Sequence, residues 1–144
     1  GLSDPGNLGT ILRTSAAAGA DGVLFLPGTV DPFNPKAVRA GMGAQYRLPL
    51  EALTWETFAE EYGRGWNSWR ADVKSRETTA YHKANWDDPT ILIIGSEAHG
   101  ISQEARQFAK RAVYIPMASG VESLNASIAT AILLFEIQRQ RDKF

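Results

Sequence analysis

The sequence predicts an α/β domain with a mostly parallel sheet and helices on both of its faces. Three observations carry this. Short apolar runs occupy residues 22–26, 91–94 and 112–115, helix-forming stretches lie between them, and turn residues mark the joins. A run that is apolar on both faces suits a strand covered by helices on each side. Strands that alternate with helices set the class. At 144 residues, with 44% hydrophobic and 22% charged residues, the chain has the size and composition of one globular domain.

The elements follow in order. Asp4-Pro5-Gly6-Asn7 reads as a turn, and residues 8–18 after it form a helix that closes at Gly19. Residues 22–26 are a strand broken by Pro27-Gly28. Residues 36–45 are helical despite Gly41 and Gly43, whose cost in a helix implies close packing against them. Residues 48–50 are a strand stub, Thr54 caps a helix running to Tyr62, and residues 66–73 are a strand. The polar stretch 74–89 is a loop with a helical turn in it. Residues 91–94 are the clearest buried strand, ending at Gly95. Ser102 caps a short helix to Ala109, and residues 112–115 are a strand stopped by Pro116. The last helix runs from Ser123 to about Arg141, its core face marked by Leu124, Ile128, Ala131, Ile132 and Phe135 and widened by Ala129, Leu133 and Ile137. So wide a stripe predicts burial on two sides, one of them against something other than the sheet.

Composition excludes several classes of function. The chain has no cysteine, so disulfides, thiolate chemistry and sulfur-ligated zinc are ruled out. His82 and His99 cannot make a metal site alone, and no metal is expected. No apolar run reaches the ~18–20 residues of a membrane helix, and the start lacks a signal-peptide pattern, which points to the cytoplasm. A formal net charge of -1 is no polybasic sponge, although a local patch can still bind nucleic acid. Arg13, Lys36, Arg39 and Arg47 fall in the first third, while most acidic residues lie later.

Ligands of open parallel sheets bind outside the carboxyl ends of the strands. Two loops qualify there by composition: Gly95-Ser96-Glu97-Ala98-His99-Gly100, and Pro116-Met117-Ala118-Ser119-Gly120 running into Ser123-Leu124-Asn125. Glycine at a strand end lets a ligand approach the backbone. The nucleophile elbow, the phosphate loop and the dinucleotide fingerprint are all missing. Glu60 and Glu61 are helix neighbours facing different ways and make no catalytic pair. Trp55, Trp66, Trp69 and Trp86 are read as core or interface, with base stacking the less favoured role.

Together these segments resemble the SpoU/TrmH branch of the SPOUT RNA methyltransferases. Residues 4–13, Asp-Pro-Gly-Asn-Leu-Gly-Thr-Ile-Leu-Arg, look like its first motif, and residues 95–100 like its second. Ile115-Pro116-Met117, then Gly120, then Ser123-Leu124-Asn125-Ala126-Ser127 resemble the third. Residues 34–44, with Leu48-Pro49-Leu50 after them, match a further stretch typical of the branch. The resemblance implies transfer of a methyl group from S-adenosylmethionine to a ribose 2′-hydroxyl of RNA, ribosomal in preference to transfer RNA. It also implies a homodimer and a deep carboxyl-terminal trefoil knot holding the cofactor. By motif matching, Gly95, Ile115 and Leu124 contact the cofactor through the backbone, and Glu97 and Gly100 shape the loop. Pro116, Met117, Ser123 and Asn125 lie close to it. Arg13 and Asn7 are the catalytic candidates, and Arg13, Lys36 and Arg39 would meet RNA. A guanidinium is a demanding base, so Arg13 is read as orienting the hydroxyl or an adjacent phosphate. Residues 1–144 are expected to be one catalytic domain lacking the family's first strand and any amino-terminal RNA-binding domain. Two rival readings are a non-catalytic RNA-binding module of the same fold, and a related SPOUT enzyme acting on a base nitrogen of tRNA. The presence of Asn7, Arg13 and Asn125 counts against both.

Overall fold

The structure, a computed structural model, describes residues 1–141. Helix α1 spans Pro5–Ala17, and its cap is Asp4, whose carboxylate accepts the Asn7 N–H at 2.7 Å. The expected turn at residues 4–7 is therefore the helix start. Pro5 fits there because an N–H in the first turn would have no helical partner, and proline has none to lose. Strand β1 is Val23–Phe25. Helix α2, Pro35–Gly41, ends well before the expected residue 45, because Met42 (φ 49°) and Gly43 (φ 81°) are left-handed. A 3-10 turn, Ala44–Tyr46, follows. Strand β2, Leu50–Ala52, lies two residues beyond the expected stub.

Helix α3, Trp55–Tyr62, is capped by Thr54, and strand β3 is Asn67–Ala71. The stretch expected to be loop contains strand β4, Thr78–Ala80, before its 3-10 turn at Tyr81–Lys83. Strand β5 is Thr90–Ile93, helix α4 is Gln103–Phe108 capped by Ser102, and strand β6 is Arg111–Tyr114. Helix α5, Ala126–Arg141, starts three residues later than Ser123. Its cap is Asn125, whose side-chain oxygen accepts the Ser127 N–H at 2.9 Å.

All four strand pairings are parallel, as expected, but the strands form two sheets rather than one: β1-β2 and β4-β6-β3-β5. Between them lies a cleft of about 940 Å³, lined by residues 22–26 of the first sheet and 90–94 of the second. Alternation along the strands places helices on both faces. Leu92 and Ile94 pack with Leu133 and Ile137 of α5, whereas Ile91 and Ile93 pack with Phe58 of α3 and Ala105 of α4. Phe25 joins Leu8, Ile11 and Leu12 of α1, and Leu24 faces α3.

Two packing details fix the frame around the motifs. A Cβ at Gly9 would fall 2.3 Å from the Ala37 carbonyl oxygen, so α1 and α2 touch backbone to backbone there. The buried Arg70 donates to the Ala109 and Lys110 carbonyls (2.5 and 3.0 Å) and pairs with Asp72 at 3.3 Å, and Asp72 also binds Arg106 at 2.5 Å. That network ties the end of β3 to α4.

The sides of α5 are not those expected. Ser127, Thr130, Leu133, Glu136 and Ile137 are buried, while Ile128 and Phe135 are about half exposed and Leu124 is also exposed. The residues read as its core face point mostly outward. The polar residues on the inner side are satisfied locally. Ser127 Oγ donates to Asn125, Thr130 Oγ1 donates to the Ala126 carbonyl, and Glu136 accepts from Arg139 and Gln140. Backbone and neighbouring side chains thus allow burial of positions that a hydropathy stripe assigns to solvent.

Candidate functional site

Asn7 stands in the first turn of α1, Glu97 in the loop after β5, and Asn125 at the start of α5. The fold joins them in one line of hydrogen bonds. Asn125 donates its amide N–H to Asn7 Oδ1 at 3.0 Å, and Asn7 donates its own to Glu97 Oε1 at 3.1 Å. Glu97 Oε2 also accepts the Ser3 N–H at 3.4 Å. Segments 90 and 118 residues apart therefore meet through three side chains. Burial opposes ionisation of Glu97, but hydrogen bonds from the Asn7 side chain and from backbone N–H groups outweigh it and hold its carboxyl below the usual range. The site thus carries a fixed carboxylate at neutral pH.

The loop holding Glu97 is a tight backbone hairpin. Ser96 and Gly100 exchange both of their N–H···O bonds at 2.9 Å, and the Ser96 hydroxyl accepts the His99 N–H at 3.0 Å. Gly100 has φ +64°, and a Cβ at Gly95 would lie 2.3 Å from the Gly100 carbonyl carbon. Neither position takes a side chain without moving the hairpin.

The loop after β6 is open. Ile115 is half-buried against the α5 core, and residues 116–125 are all exposed. Among the described residues, Val121 is the one N–H between Pro116 and Asn125 with a hydrogen-bond partner, the Ala118 carbonyl. Met117, Ser123 and Leu124 thus sit on exposed backbone whose N–H groups have no partner among the described residues.

Of the remaining candidates, Lys36 pairs with Asp4 at 3.3 Å, and Arg39 is exposed on α2. Arg13 is exposed on α1 and makes no hydrogen bond or ion pair among the described residues. It lies six residues past Asn7, roughly 9 Å along the helix and ~120° around it, so this chain does not bring it into the line of side chains. His99 contributes its backbone only, and no group of residues suited to a metal ion occurs among those described. Trp69 and Trp86 are buried, their rings 5.3 Å apart, which makes them core. Asp4 was missed as a site residue, although Asp before Pro is a legible start signal and its carboxylate both orders the Asn7 backbone and holds Lys36. Hydrogen bonding by the Asn7 N–H is the main cause of its lowered pKa.

The model of the SpoU rRNA Methylase family matches residues 1–135. An uncharacterised tRNA/rRNA methyltransferase of Synechocystis sp. is 38% identical over 141 residues, covering 97% of this chain and 51% of that protein. The AdoMet-bound rRNA methyltransferase of Sinorhizobium meliloti superposes with a TM-score of 0.87 at 36% identity, over 94% of this chain and 52% of that one. A structure described as an RNA 2′-O ribose methyltransferase gives 0.83 at 32% identity, over 98% of this chain and 54% of that one. The chain thus spans about half the length of these three relatives. On a match to nearly its whole length, with the quoted motifs brought to one place, the chain belongs to the SpoU rRNA methylase family.

Proposed function

We propose that the chain is the catalytic domain of an enzyme that methylates a ribose 2′-hydroxyl in RNA, with S-adenosylmethionine as methyl donor. The observation that carries this reading is the Asn125–Asn7–Glu97 line, which puts the three motif segments beside two loops at the carboxyl ends of the strands.

The residues present fit the cofactor. Gly95 and Gly100 keep the hairpin tight, since a Cβ at Gly95 would press on its backbone and Gly100 is left-handed, and the exposed 116–125 loop leaves backbone N–H groups without partners among the described residues. Gly95, Ile115 and Leu124 would hold the cofactor through the backbone, with Pro116, Met117, Ser123 and Asn125 bordering it. Glu97 and Gly100 would keep the loop in shape. When bound, the cofactor supplies a methyl group already activated on a sulfonium. What remains for the protein is to place the hydroxyl and manage its proton, and positioning alone can be worth several kcal/mol, with ~7–11 as a ceiling. Asn7 is suited to positioning because both ends of its amide are engaged, which fixes its rotamer. Arg13, a fork of donors with no acceptor, orients the hydroxyl or binds a neighbouring phosphate, and the proton leaves to phosphate or water.

Family membership and the domain's own cations support RNA as the partner, and the preference for ribosomal over transfer RNA rests on the resemblance at residues 40–44. The outward apolar side of α5, with Leu124, Ile128 and Phe135, supports a second copy of the chain as its cover. The carboxyl-terminal knot is supported by the position of β6. It lies between β3 and β4, which are joined by residues 72–77 alone.

Calorimetric titration with S-adenosylmethionine tests the reading. Saturable binding is expected, and a folded chain that takes up none overturns it. Mass spectrometry of nuclease-digested RNA then distinguishes ribose from base methylation. Arg13→Lys should bind cofactor normally and lose roughly 100-fold in turnover, the scale of a misplaced reacting group. Full turnover with an unchanged pH profile would remove Arg13 from the mechanism.

A further inference from the structure

Beside α1, the structure exposes aromatic rings that the proposed chemistry does not use. Phe33 is 52% exposed and Tyr46 78%, at opposite ends of the α2 segment in sequence, yet their ring centroids are 6.4 Å apart with planes tilted by 55°. The pair is rigidly mounted. Gln45, 5% exposed, donates its amide N–H to the Pro32 carbonyl at 3.0 Å, which binds the turn carrying Tyr46 to the loop carrying Phe33. On the loop side, the Phe33 N–H donates to Asp31 Oδ1 at 2.9 Å. On the helix side, a Cβ at Gly41 would fall 2.6 Å from the Gln45 amide oxygen, so the amide is clamped against α2. Exposed rings held this firmly fill no core.

The segment that joins them is basic. Between Asp31 and Glu51 the chain carries Lys36, Arg39 and Arg47 and no carboxylate. The same segment packs on α1 through Gly9, and Lys36 reaches the cap of that helix. α2 is only about 10 Å long, and it touches α1 at Gly9, two residues past Asn7. Exposed aromatic faces on a basic segment suit single-stranded nucleic acid, whose bases stack while its phosphates pair.

We infer that α2 and the turn after it form a stacking platform for unpaired nucleotides flanking the methylated ribose, with Phe33 and Tyr46 as the ring surfaces and Arg39 and Arg47 as phosphate contacts. The inference rests on the reading that the chain acts on RNA, and it adds where the strand lies. It also accounts for an exposed aromatic pair on a segment free of acidic residues.

Fluorescence anisotropy with a labelled 12-nucleotide oligouridine is the test. Phe33→Ala and Tyr46→Ala should each weaken binding roughly tenfold, the scale of one lost base–ring stack, with the salt dependence unchanged. Tyr46→Trp should retain affinity and Tyr46→Leu should not, whereas a surface for an apolar protein partner would tolerate leucine. Arg39→Gln and Arg47→Gln should each lower the slope of log affinity against log salt by roughly 0.7. In the unsubstituted chain, 5-iodouridine within the oligonucleotide should cross-link to Phe33 or Tyr46. Alanine variants that bind normally, tryptophan and alanine variants that weaken alike, or cross-links confined to other segments would overturn the platform. All variants should titrate S-adenosylmethionine as the unsubstituted chain does. A chain that binds the cofactor but no oligouridine overturns the platform and leaves the cofactor site standing.

Discussion

α1 and α5 each deliver one asparagine to the same line of hydrogen bonds, yet they bury themselves in opposite ways. α1 turns Leu8, Ile11 and Leu12 into the core and sets Gly9 against α2, so its partners all lie within the chain. α5 faces inward with Ser127, Thr130 and Glu136 alongside Leu133 and Ile137, and faces outward with Ile128 and Phe135. The difference teaches that the apolar side of a helix marks where it expects a neighbour, and that this neighbour need not be its own sheet. α1 buries its apolar side within the chain, whereas α5 leaves part of its apolar side exposed.

The sharpest way to break this comparison is to truncate each helix on each side. Leu12→Ala and Leu133→Ala remove side chains that are 0% and 1% exposed, and each should destabilise the chain by about 2–5 kcal/mol in denaturant unfolding. Phe135→Ala should cost the isolated chain much less and instead weaken self-association, read by sedimentation. An equal loss of unfolding free energy at Phe135 and Leu133 would mean that the outer side is already packed. Next in size is Gly9→Ala, whose methyl would press on the backbone of α2 and should cost about 1–3 kcal/mol as overpacking. A neutral result would show that α1 is less tightly held than its contacts imply.

The caps come third. Asp4→Ala removes the α1 cap and Asn125→Ala removes the α5 cap, each worth about 1 kcal/mol in thermal unfolding. Asn125→Ala alone also frees Asn7 and should therefore lower methyl transfer beyond its effect on stability. The smallest effect is that of pH on Glu97. Its carboxyl titrates below the ordinary value of 4.5 in the folded chain, so its contribution to stability is present above that value and is lost as the pH falls through the depressed one. Glu97→Gln should flatten that part of the acid-unfolding profile. An unchanged profile would show that the line from α1 to the β5 loop does not depend on charge.

Much of this was legible along the chain. Thr54 and Ser102 announced their helices because a cap is a local hydrogen bond written in adjacent residues. The strand at residues 90–93 announced itself because both of its faces are apolar. Asp4-Pro5 was read as a turn, since turns and helix starts share the same residues. Met42 could not be foreseen as a helix end, because non-glycine residues rarely adopt the left-handed conformation it takes. Thr78-Thr79-Ala80 has no hydropathy pattern, and it is a strand only because β6 arrives beside it. The motif residues were legible as types through the family resemblance. Their contacts were not, since Asn7, Glu97 and Asn125 meet only once three distant segments have folded. The division into two sheets was equally out of reach, because it depends on which strand edges find neighbours.

The place of β6 constrains the order of assembly. Residues 111–114 occupy a lane bounded by β3 on one side and β4 on the other, and residues 72–77 already tether those two strands. Docking therefore has to wait for that lane to exist, and α5 must travel with the arriving strand. Refolding of this chain should show a late phase in which Trp69 and Trp86, buried in one cluster with Val113 of β6, acquire native fluorescence together.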